Sequence, residues 1–108
     1  MNKFEAVILL SPDLSSANLK KQEESFNKLL IGLSGSILSK EDWGLRDLNY
    51  KIKNFKEAFY KFYQLEIEGS KIKDIKKNIN QNEEIIRHLF VKVKNHKELP
   101  TKILKEEK

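Results

Sequence analysis

The hydrophobic pattern of this chain switches between a period of two and a helical period, and the order of those switches constrains the fold more than any single residue. Residues 4–10 form a short apolar run with β-branched members, closed by Ser11-Pro12-Asp13, which predicts a buried strand. Leu19, Phe26, Leu30 and Leu33 then recur at helical spacing, with Lys20, Lys21, Glu23 and Glu24 on the other side. Ser15 or Ser16 offers an N-cap oxygen for this helix, and Gly32 and Gly35 end it. Over residues 36–53 the period falls to two, with an irregularity expected near Gly44. A polar connection at 54–57 leads to a third strand over 58–68. Phe59, Tyr63, Leu65 and Ile67 lie to one side of it, and Tyr60, Phe62, Gln64 and Glu66 to the other. Gly69-Ser70 breaks that strand, and Ser70 is placed to cap a second helix, which has Ile72, Ile75 and Ile79 on one face. Asn80-Gln81-Asn82 makes a loop before a fourth strand over 85–93.

Strand, helix, strand, strand, helix, strand, with short links, predicts an α+β fold. The expected form is a ferredoxin-like βαββαβ sandwich, a four-stranded antiparallel sheet with two helices on one face. Residues 1–94 make one such domain, and the charged tail at 95–108, with Pro100, is expected to be flexible when alone. Helices on one face leave the other face of the sheet open for a partner.

Composition narrows the partner. With 21 Lys and Arg against 16 Asp and Glu, the 108-residue chain carries a net charge of +5 and a pI near 9.3, a mild bias toward an acidic partner such as nucleic acid. Only Arg46 and Arg87 are arginines, and an Arg in a Lys background is suited to forking onto phosphate or carboxylate. The absence of cysteine excludes disulfides, thiolate metal sites and Cys nucleophiles. The apolar run at 6–10 is far too short to span a bilayer, and the start of the chain lacks a signal-peptide layout, so a cytoplasmic protein is expected.

The stretch 43–53 reads as a strand with Arg46, Leu48, Tyr50 and Ile52 on one side, a mixture that suits a polar partner as well as a core. Tyr60 and Phe62, with Phe4 a possible neighbour, are reminiscent of the base-stacking aromatics of an RNA-recognition motif. The glycines of that motif are missing, so core packing or a protein interface is the favoured role. Trp43 is expected to be a half-buried lid on the core. His88 and His96 lack the spacing and companions of a metal site. Lys71, Lys73, Lys76 and Lys77 read most simply as a solvated helix face, and otherwise as a phosphate-contacting stripe.

Four pieces, taken in order, resemble the bacterial small-subunit ribosomal protein S6 family over residues 3–94. They are Phe4-Glu5 followed by an apolar strand and Ser11-Pro12-Asp13-Leu14; Trp43-Gly44-Leu45-Arg46-Asp47-Leu48-Asn49-Tyr50-Lys51-Ile52; Ala58-Phe59-Tyr60 leading to Phe62 and Glu66; and Ile85-Ile86-Arg87-His88-Leu89-Phe90-Val91-Lys92. The family often has Tyr at position 4, Ala at 49 and Pro at 51. The resemblance implies a structural constituent of the small ribosomal subunit. It would bind the central domain of small-subunit rRNA with a partner, small-subunit ribosomal protein S18, during platform assembly, with no cofactor, metal, membrane or small-molecule substrate. The residues expected to contact RNA or partner are Lys3, Arg46, Tyr50, Lys53, Tyr60, Phe62, Arg87 and Lys92. An acylphosphatase-type enzyme on the same fold is disfavoured, because Ser11-Pro12-Asp13-Leu14 has no glycine and an acid that repels phosphate. The remaining alternative is a ferredoxin-like regulatory module sensing a small molecule.

Overall fold

The computed structural model describes residues 2–95, with the backbone alone for Asn49. The elements are β1 (Asn2–Leu10), α1 (Ser16–Gly32), β2 (Ser36–Ile52), β3 (Phe55–Ile67), α2 (Ile72–Asn80) and β4 (Ile85–Val93). The sheet order is β2-β3-β1-β4, and every neighbouring pair is antiparallel. This is the expected ferredoxin-like topology.

Alternate residues of β1 define the two faces. Phe4, Ala6, Ile8 and Leu10 are buried with Phe26 and Leu30 of α1 and Ile75 and Ile79 of α2, so both helices cover the same face. Leu30, Leu65, Ile67 and Ile75 are fully enclosed there, and truncating any of them to Ala would cost about 2–5 kcal/mol. The other residues of β1 meet the uncovered face: Val7 lies opposite Phe62 and Leu89, and Leu9 opposite Tyr60 and Arg87. Phe4 lies opposite Leu65 and Lys92 on the helix side, so it does not join Tyr60 and Phe62 as the sequence suggested. Residues 6–10 are all apolar, and their periodicity gave no way to assign faces.

Ser15 caps α1, its Oγ accepting the Asn18 N–H at 3.2 Å. The helix ends in a Schellman arrangement: the Gly35 N–H donates to the Leu30 carbonyl at 2.8 Å and the Ser34 N–H to the Ile31 carbonyl at 3.0 Å. The left-handed residue is Ser34, at φ 63°, rather than either glycine. Gly35 is needed for space, since a Cβ there would lie 2.9 Å from the Ile67 side chain.

Two local expectations are corrected. The polar stretch 54–57 is not a connection: β3 begins at Phe55, and only Lys53 and Asn54 turn the chain, with Ile52 opposite Phe55. Ser70 does not cap α2. Residues Gly69–Lys71 form a short 3-10 turn, the cap position is Lys71, and it makes no side-chain capping bond. The Gly69 N–H instead donates to Asn2 Oδ1 at 3.1 Å, a tertiary contact with β1 that local sequence does not reveal.

Candidate functional site

Two irregularities in β2 shape the uncovered sheet face. The first is at Trp43. Asp42 pairs with Lys61 and Gly44 with Tyr60, so Trp43 is an extra residue, and Gly44 takes φ 76° as a bulge requires. Asp42 Oδ1 fixes the bulge by accepting the Gly44 N–H at 2.8 Å. The bulge aims the Trp43 ring onto Phe62, at 5.2 Å and 10° between planes, and toward Tyr60 at 6.4 Å. The indole N–H donates to Glu41 Oε1 at 2.9 Å, and Arg46 Nε donates to the Trp43 carbonyl at 3.0 Å. Trp43 is thus buried against the uncovered face rather than lying as a half-buried lid.

The second irregularity is at the hairpin end. Lys53 and Asn54 have φ of 50° and 71°, both left-handed, as a two-residue type I′ turn demands. Between Asp47 and Ile52 the pairing with β3 shifts register, and Leu48 and Ile52 pack on the small cluster of Leu9, Ala58 and Ile86. The result is a groove of about 320 Å³ across three strands and the hairpin, lined by Val7, Leu9, Leu48, Tyr50, Ile52, Tyr60, Arg87, His88 and Leu89. Tyr50 is 67% exposed, Leu89 57% and, farther along β4, Val91 46%. Apolar side chains so exposed on one sheet face form a surface suited to a partner.

The expected contact residues divide on this geometry. Tyr50, Tyr60 and Arg87 meet in the groove. Lys53 joins Arg87 and His88 in a neighbouring cleft of about 280 Å³ that also reaches Ile79 and Asn80. Arg46 and Phe62 are tied to the site through Trp43, and Phe62 is buried beneath it. Lys3 lies toward the far end of the same face, opposite Glu66 and Val93. Lys92 is apart from them, opposite Phe4 on the helix face. Sequence reasoning did not single out Val7, Leu9 and Leu89 as part of the site. The available signal was that β1 and β4 are apolar on both sides although helices cover only one.

His88 lies opposite Ile8 on the helix side of the sheet, at the edge of the groove, with Nε2 3.3 Å from Asn80 Oδ1 and its ring tilted on Phe90. Burial, followed by the charge of Lys76, holds its pKa below the ordinary histidine value and favours the neutral ring. Among the described residues, no group of three His, Asp or Glu side chains is placed to hold a metal. No helix among them is long and apolar enough to cross a membrane. The groove offers apolar contact, two phenols and a guanidinium, which suits recognition.

The family model described as ribosomal protein S6 matches residues 3–92. The small ribosomal subunit protein bS6 of Rickettsia felis is 36% identical over 107 residues, covering 99% of this chain and 88% of that protein. That of Christiangramia forsetii is 32% identical over 96 residues, covering 89% and 86%. The crystal structure of 30S ribosomal protein S6 from Thermotoga maritima matches with a TM-score of 0.81 over 85% of this chain and 87% of that one. At 22% identity, this likeness shows a shared fold.

Proposed function

The chain belongs to the ribosomal protein S6 family of the small ribosomal subunit, and from that premise we propose that it binds the central domain of small-subunit rRNA jointly with protein S18 as the platform assembles. The family is one of structural ribosomal proteins, which supports reading this chain as a structural protein of the cytoplasmic ribosome rather than an enzyme. The finer reading is supported by one observation above all: the uncovered sheet face carries an apolar groove with a basic rim.

The two parts of that face suit two partners. Leu89, Val91 and Tyr50 are left in water by the isolated chain, and covering apolar surface yields about 25 cal/mol per Å². A protein partner can supply that cover more fully than a phosphate backbone. Arg87 is exposed at the rim, where its planar fork can reach a phosphate. The net charge of +5 gives only modest attraction to RNA, so a second basic protein on the groove would raise affinity by adding phosphate contacts.

Leu89→Asp tests the protein half of this reading. Leu89 is largely exposed, so the substitution leaves the thermal midpoint nearly unchanged. Calorimetric titration with S18 is expected to show binding weakened by about tenfold or more. Undiminished affinity for S18 would place the partner elsewhere.

A further inference from the structure

The positive charge of this chain is concentrated in one part of the fold. Residues 2–68 carry ten Lys or Arg and ten Asp or Glu, whereas residues 69–95, which build α2 and β4, carry seven against three. On α2, Ile75 and Ile79 are buried in the core while Lys73, Lys76 and Lys77 are exposed. Their spacing of three and four residues places them on one stripe of the helix surface. Asp74 is the one acidic residue of α2.

Among the described residues, no ion pair includes a member of this stripe. Ion pairs form elsewhere, as where Lys40 meets Glu23 and Lys61 meets both Glu23 and Asp42, on α1, β2 and β3. Like charges three and four residues apart destabilise a helix by about 0.2–0.5 kcal/mol per pair. Here they fall on a helix of nine residues that starts without a side-chain cap. The stripe therefore works against its own helix. Its field also extends beyond α2, since Lys76 acts with burial to depress the pKa of His88 on β4.

We propose that Lys73, Lys76 and Lys77 form a second RNA contact, on the face opposite the groove, which holds phosphates of another RNA segment without reading its sequence. Three ammonium groups on flexible stems suit backbone phosphates as point charges and have no means of selecting bases. The chain would then lie between two segments of RNA, one reached with its protein partner across the open sheet and one across α2. The identification of RNA rests on the ribosomal reading above.

The test is the triple variant Lys73→Gln/Lys76→Gln/Lys77→Gln, compared with the unaltered chain by salt-titrated binding in two arms. One arm uses a central-domain junction RNA with S18 present, and the other uses the chain alone on a generic RNA duplex at low salt. In each, the slope of log affinity against log salt should shrink by about 2–3, near 0.7–0.9 per lost phosphate contact. Binding to S18 without RNA should be unchanged, and thermal melting should show a fold at least as stable once the repulsion is gone. Unchanged slopes on an RNA that the unaltered chain binds would overturn the proposal. So would weakened S18 binding with unchanged slopes, which would assign the stripe to an acidic protein surface. Should the junction arm show no binding by either chain while the duplex arm shows the smaller slope, the platform reading fails and the α2 contact stands.

Discussion

Lys61 illustrates how a single side chain can be legible as a type and illegible as an environment. It lies on β3 opposite Ile8 and Asp42, with its side chain 6% exposed. Its Nζ is 2.8 Å from both Glu23 Oε1 on α1 and Asp42 Oδ2 on β2. Burial alone would lower its pKa, but the hydrogen bonds and charges of Asp42 and Glu23 outweigh that and raise it above the usual lysine value. Burial likewise opposes the two carboxylates, and Lys61 prevails, holding both below their ordinary range. The sign follows for each. The carboxylates contribute stability that is present above about pH 4 and lost as pH falls through their lowered values. Lys61 contributes stability that is present below about pH 10 and lost as pH rises through its raised value. Lys61→Met should therefore cost about 1–3 kcal/mol at neutral pH, a figure kept modest because Asp42 is largely exposed. The variant should also show a shallower loss of stability toward acid. Chemical denaturation at pH 7 and pH 3 checks both, and an equal loss at the two pH values would show that packing, not charge, is what Lys61 supplies.

At the scale of elements, the β2–β3 hairpin carries the site, and its chemistry was only half visible in the sequence. The period-two pattern around Arg46, Leu48, Tyr50 and Ile52 and the break at Gly44 could be read directly. The residues at 55–57 looked like a loop because Lys56 and Glu57 are both exposed in the strand and therefore show no alternation. The true turn, Lys53-Asn54, has the left-handed geometry usually marked by glycine but carries none. The end of α1 follows the same rule, with Ser34 rather than a neighbouring glycine in the left-handed position. Ser34→Gly should remove that backbone strain and raise stability by about 0.5–1 kcal/mol. An increase in the thermal midpoint is the expected result. A decrease would mean that the serine side chain contributes more than its backbone strain costs.

For the whole molecule, the topology was legible because it depends on the order of periods and on the handedness of crossovers, both local or universal constraints. The groove was less legible because it forms only where β1, β3, β4 and the hairpin come together. Strand pairing brings Arg87 of β4 opposite Leu9 of β1, and Leu9 opposite Tyr60 of β3, across wide separations in sequence. The measurement that tests this account most directly is binding of a central-domain junction RNA by this chain, by S18, and by the two together, across a series of salt concentrations. The account predicts tight binding only with both proteins present, weakening as salt rises. Equal affinity of S18 for the RNA with and without this chain would contradict it.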